Sequence, residues 1–156
     1  MMIAPATVWQ TLCDEVATVL TPTDGTAPTV IRTYDPQSHF ADVSERKILV
    51  TMTGQGREQI NSKKIWDTYD FSIILLEPIQ EQDEAARNQH LDGLLNLIPT
   101  LGDHFSLRAI TKNDLQMVFS EQAVTIGNRP FELDELIDHH FFSFEMSLTV
   151  RVPRYL

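Results

Sequence analysis

The sequence is short of cations, of thiols and of long apolar runs. Its 156 residues hold 12 Lys and Arg against 22 Asp and Glu, a formal net charge of −10 and a pI of about 4.8. Affinity for nucleic acid comes from clustered Lys and Arg that neutralise phosphates, so specific nucleic-acid binding is not expected. The single cysteine, Cys13, excludes an internal disulfide framework and a multi-cysteine metal site. It lies on the apolar stripe of a predicted helix and reads as a small buried hydrophobe. No apolar stretch approaches the roughly 20 residues of a membrane span. The start, Met1-Met2-Ile3-Ala4-Pro5, has no basic region followed by an apolar run, so no signal peptide is expected and the cytoplasm is the default compartment.

What is present suits a single domain over residues 1–156, with a 42% hydrophobic share to build its core. Its centre is a strand over Ile65–Glu77 followed by a helix over Asp83–Ile98. Ile65, Tyr69, Phe71, Ile73 and Leu75 share one alternating face, broken only by Asp67, and Ile74 and Leu76 make the other face apolar near the end. Pro78 should stop the strand. Asp83 and Glu84 favour a helix start, Leu91, Leu94, Leu95 and Ile98 form its stripe, and Pro99 with Gly102 should close it.

Around this unit, Thr7 to Leu20 reads as a first helix, with Thr7 and Gln10 as a capping box and Trp9, Leu12, Val16 and Leu20 at helical spacing. Thr29–Tyr34 is a short β-branched strand and Lys47–Thr53 the next, with Ile48, Val50 and Met52 on one face. Gly54-Gln55-Gly56 then opens an exposed loop of about ten residues that ends at Lys64 and carries Arg57, Lys63 and Lys64. His104 to Ile110 reads as extended. Leu115–Phe119 reads as a strand or, equally, as part of a short helix from Asn113, and Ala123–Ile126 as a separate fragment before a turn at Gly127-Asn128. Glu132–Asp138 suits one acidic helical turn. The last strand, Phe141–Val152, alternates strictly, with Phe142, Phe144, Met146, Leu148, Val150 and Val152 on one face, and Pro153 should end it. The fold class is therefore α+β: a mixed, mainly antiparallel sheet with a long hairpin, flanked by an N-terminal and a central helix.

Few groupings point to chemistry. Asp134, Glu135, Asp138, His139 and His140 hold the right residue types for a divalent metal, but adjacent histidines on a strand face opposite ways and the His-Glu-x-x-His spacing is absent. A solvated edge is the expected reading, with a small metal-dependent enzyme or ligand-binding domain using Asp138 and His140 as the alternative. His39, His90 and His104 are scattered surface or part-buried residues. No serine stands in Gly-x-Ser-x-Gly. Gly54 and Gly56 lack the third glycine of a dinucleotide loop and the Gly-Lys-Ser/Thr of a P-loop. Trp9 and Trp66 read as core or interface packing, with no basic residues beside them to suggest base stacking. No catalytic residue, cofactor or metal is expected.

The order of elements resembles the small neck and tail-terminator (tail-completion) proteins of tailed bacteriophages. A helix precedes Ile31-Arg32-Thr33-Tyr34, then come Lys47-Ile48-Leu49-Val50-Thr51, a hairpin, Tyr69-Asp70-Phe71-Ser72-Ile73-Ile74-Leu75, a helix with Leu91-Asp92-Gly93-Leu94-Leu95, and the long last strand. The resemblance spans about two-thirds of the chain and weakens between Asp103 and Asp138. It implies a virion protein, not an enzyme, that assembles with itself as a ring, commonly a hexamer. Such a ring caps the tail tube protein and meets a head-side connector. It implies no cofactor and no membrane. DNA may pass through the ring without specific binding. A head-completion or baseplate part is the nearest alternative. In such a ring Arg57, Lys63 and Lys64 become the candidate partner interface.

Overall fold

The computed structural model describes residues 3–21, 28–41, 43–106, 109–125 and 141–156, with backbone alone over 121–125. Over these residues the chain is α+β, with helices α1 (Pro5–Leu20), α2 (Glu84–Leu95) and α3 (Leu97–Phe105) and strands β1 (Val30–Arg32), β2 (Lys47–Asn61), β3 (Lys64–Pro78), β4 (Ala109–Lys112), β5 (Leu115–Thr125) and β6 (Phe141–Tyr155). The strands form one mixed sheet in the order β1-β2-β3-β6-β5-β4, with β1 parallel to β2 and every other pair antiparallel.

Period-two alternation fixes which side of the sheet is covered. Ile48, Val50, Tyr69, Phe71, Ile73 and Leu75 share one face with Phe142, Phe144, Met146, Leu148, Val150 and Val152, and all are buried. Helix α1 lays Val8, Trp9, Leu12, Cys13 and Val16 into this core, α2 adds Leu91 and Leu94, and α3 adds Leu101 and Phe105. Burial pushes the Cys13 thiol up to about 12, so it behaves as the hydrophobe its position suggested. On the second face a smaller cluster of Leu49, Ile74, Leu76 and Phe141 is closed by Ile31, Phe40 and Val43. Phe40 follows a 3-10 turn, Pro36–His39, in the connection between β1 and β2.

Several boundaries differ from the sequence reading. Helix α1 begins at Pro5, not Thr7, and no capping box forms: the Thr7 amide donates to the Ala4 carbonyl, while the Gln10 amide reaches forward to Asp14. A proline at the first helical position already has the right φ and no donor to satisfy. Helix α2 starts as expected, with the Asp83 carboxylate accepting from the Ala86 amide at 3.0 Å. It ends at Leu95, and Pro99 and Gly102 lie inside α3 rather than closing α2. Pro99 is tolerated there because it occupies the first turn, where amides have no intrahelical acceptor. His104 is consequently helical, and extended chain resumes only at Ala109.

The largest difference concerns residues 54–61, which form no loop. Strand β2 runs on to Asn61 and pairs with β3 as far as Lys64, leaving a tight turn at Ser62-Lys63. The Asn61 side chain accepts from the Lys63 amide at 2.8 Å and replaces the glycine usual in such turns. Leu115–Phe119 is strand, not helix. Asn113 and Asp114 have positive φ of 54° and 62°, the left-handed pair that joins two-residue hairpins and that Asn and Asp tolerate. The expected separate fragment at Ala123 belongs to this same β5, beyond a register shift between Phe119 and Gln122. β6 continues past Pro153, which pairs with Trp66. β5 contacts β6 only as far as Arg151, so among the described residues no strand flanks β6 on that side at Pro153, and its missing donor costs no ladder bond to β5. The expected turn at Gly127-Asn128 and the acidic helical turn at Glu132–Asp138 lie outside the described residues.

Candidate functional site

The distal halves of β2 and β3, flanked by the end of β6, form an arm that extends the sheet past most of its helix cover. From Gln55 to Lys63 every residue is exposed. β1 pairs with β2 only over Ile48–Val50, so among the described residues no strand pairs with the outer edge of the arm. The arm begins at a register shift between Met52 and Gly54, a bulge that re-phases β2. Gly54 and Gly56 then face Asp70 and Thr68 across the ladder. A Cβ on Gly54 would stand 3.2 Å from the Asp70 carboxylate, and one on Gly56 would stand 3.0 Å from Thr68 Oγ1. These glycines give room to β3 side chains rather than to a phosphate.

The three candidate cations lie on this arm, but not on one surface. Arg57 pairs in register with Asp67, their charged groups 3.6 Å apart, and its side chain stays 61% exposed. Arg154 reaches the same Asp67 at 3.1 Å. Alternation along β3 puts Lys64 on the opposite side from Asp67, where its ammonium lies 4.9 Å from the Trp66 ring and 5.4 Å from Tyr155. Lys63 sits in the turn, where its carbonyl accepts from the Leu156 amide at 2.8 Å and its side chain is exposed. The sequence reading missed Arg151, which pairs with Glu58 at 3.2 Å, and Arg154. Arg151 stood in the expected strand, but the stop placed at Pro153 cut Arg154 off. It also saw no base beside either tryptophan. Folding puts Arg32 5.0 Å over the Trp9 ring and Lys64 beside Trp66, although Trp9 itself is core as expected. Ile60, Tyr155 and Leu156 leave an exposed apolar surface at the same tip.

Two titratable clusters lie elsewhere. His90 on α2 holds the Glu81 carboxylate through Nδ1 at 2.8 Å and Glu77, at the end of β3, through Nε2 at 3.0 Å, while Arg46 pairs with Glu77 from the other side. Burial alone would lower the His90 pKa, but the bonds to Glu81 and Glu77 outweigh it and raise it. Both ring nitrogens are thus engaged by carboxylates, which accept from the ring in its charged form. On the helix side, Glu15 is partly desolvated, yet His104 at 2.7 Å and Lys112 at 3.2 Å hold its carboxyl below the usual range. Both clusters tie elements together: α2 to β3, and α1 to α3 and β4.

Among the described residues no group of three or more His, Cys, Asp and Glu is placed to hold a metal ion, and no helix is long and apolar enough to cross a membrane. Asp134, Glu135, Asp138, His139 and His140 lie outside those residues. Comparison of the sequence with protein-family models and with curated proteins finds no match.

Proposed function

We propose that this chain is a structural virion protein of a tailed phage, a tail-terminator or neck protein. It works as a homo-oligomeric ring that caps the tail tube and meets the head-side connector. The observation that carries this reading is the arm. A monomer has no evident use for a long hairpin that is exposed from Gln55 to Lys63 and whose outer edge no strand covers among the described residues. Native proteins usually shorten or cover such edges, because a free strand edge recruits another chain. The order α1, β1, β2, long hairpin, β3, α2 and, after α3, β4 and β5, a long final strand keeps the elements on which the resemblance to tail-terminator proteins rests. On this reading the protein performs no catalysis, its work is done by interfaces, and Arg57, Lys63 and Lys64 belong to the partner surface.

Native mass measurement combined with negative-stain imaging tests the ring, and co-sedimentation with purified tail tubes tests the partner. Rings, and binding to tubes, are the expected results. Reversing all three arm charges should leave the monomer folded and weaken assembly or attachment. A protein that stays monomeric at high concentration and also fails to bind tubes refutes the assignment.

A further inference from the structure

On the second face of the sheet a cavity of ≈ 260 Å³ opens between the 3-10 turn and strands β2, β3 and β6. Its walls combine three kinds of group. Thr51 and Ser72 contribute hydroxyls and are only 7% and 5% exposed. Phe40 and Ile74 supply apolar surface, and Glu145 supplies a carboxylate. Ser72 Oγ donates to Glu145 Oε1 at 2.7 Å, which anchors the carboxylate at the cavity wall. Glu145 lies at the exposed rim of the cavity, and among the described lining residues there is no Lys, Arg or His to pair with it.

We propose that this cavity binds an organic cation, a guanidinium or alkylammonium group, through Glu145 and Phe40. A carboxylate has about four lone-pair sites, so one bond from Ser72 leaves capacity for a charged donor, and such bonds are roughly twice as strong as neutral ones. Phe40 offers a ring to the cation or its methylenes. The size excludes larger ligands, because the volume falls below the roughly 300 Å³ at which drug-sized pockets begin. The charge excludes anions: the wall is anionic and the whole chain carries −10. A neutral polyol would use the hydroxyls but gain no charge-assisted bond from the carboxylate. The same chemistry is available from a free amine or guanidine and from the end of a partner's Lys or Arg side chain. The site does not depend on the ring reading.

Amide NMR titration of the full chain at low salt tests this, with agmatine as the free ligand and Gly-Arg-Gly amide as the side-chain mimic. Saturable shifts should centre on Phe40, Thr51, Ser72 and Glu145. Glu145→Gln keeps an acceptor for Ser72 and should weaken binding by about two- to fivefold, the loss expected for one solvent-exposed charge pair. Phe40→Leu preserves apolar packing and should weaken it by a smaller factor. Binding of agmatine shows that a free cation suffices, and binding of the peptide alone assigns the site to a partner's side chain. The proposal is overturned by the absence of saturable shifts with both probes. Undiminished binding to Glu145→Gln, or equal shifts with glycerol, would overturn it as well.

Discussion

Replacing Trp9 measures how α1 is fastened to the sheet. Its indole N–H donates to the Val50 carbonyl at 2.9 Å in a buried setting, and the same carbonyl accepts from the Thr33 amide at 3.2 Å. The bond sits where β1 leaves β2, and the ring packs against Tyr34 at 4.8 Å and Phe71 at 6.3 Å. Trp9→Phe removes the donor but leaves Val50 bonded to Thr33, so the penalty of about 1–3 kcal/mol for an orphaned buried group does not arise. What remains is one hydrogen bond, about 0.5–1.5 kcal/mol, and packing lost with the smaller ring, roughly 1–2 kcal/mol. The sum is about 1.5–3.5 kcal/mol, which for a chain of this size lowers the melting temperature by roughly 3–14 °C. Trp9→Ala loses the whole ring and should cost about 3–5 kcal/mol. Urea unfolding followed by circular dichroism gives both values. A Trp9→Phe protein as stable as the parent would refute the indole–Val50 bond. One as unstable as Trp9→Ala would show that the bond, not ring packing, holds the helix.

Helix α2 buries only Leu91 and Leu94, and Leu94 is 1% exposed, so Leu94→Ala should cost about 2–5 kcal/mol in the same urea assay. The two titratable clusters predict opposite pH dependences. The raised His90 pKa means that its pairs with Glu81 and Glu77 stabilise the fold fully below the unfolded value near 6.5 and lose that contribution as pH rises through the folded value. His90→Asn should therefore cost more at pH 6 than at pH 8.5, read as the difference in unfolding free energy. The lowered Glu15 pKa means stability present above the unfolded value near 4.5 and lost as pH falls through the folded one. Glu15→Gln should thus cost more at pH 7 than at pH 3.

The sheet's buried half was legible because burial on one face imposes a period of two. The runs Phe142–Val152 and Tyr69–Leu75 carry that period without interruption. The β2 half of the arm was not legible, for the same reason. Gln55, Arg57 and Gln59 on one face and Gly56 and Glu58 on the other are all polar or small, so no alternation marks a strand and their composition reads as loop. The turn that closes it uses an Asn61 side chain in place of a glycine signal. Pro99 and Pro153 look like stops in the sequence because a proline's consequence depends on where its missing donor would have pointed. That direction is set by the first turn of α3 in one case and by the end of β5 in the other. The Glu15 and His90 clusters join residues 89 and 13 positions apart, which no local pattern reveals.

The arm's own electrostatics narrow how a ring would be held. Between Thr53 and Asp70 and from Thr149 onward, five basic residues face three acidic ones, so the arm is net positive on a chain of −10. Most of this charge is already engaged: Arg57 and Arg154 share Asp67, Arg151 meets Glu58, and Lys64 lies against two rings. Lys63 is left as the most available cation, and one surface pair contributes at most about 1 kcal/mol. Charge alone would not hold a ring together. The tip also exposes Tyr155 by 67% and Leu156 by 69%, with Ile60 beside them, and aromatic anchors commonly dominate interfaces. On the ring reading Tyr155→Ala should therefore weaken assembly more than Lys63→Glu, and raising the salt concentration should matter less than either. Sedimentation velocity over a concentration series ranks the two variants. If Lys63→Glu dissociates the assembly while Tyr155→Ala leaves it intact, the tip works as an electrostatic contact and this ordering fails.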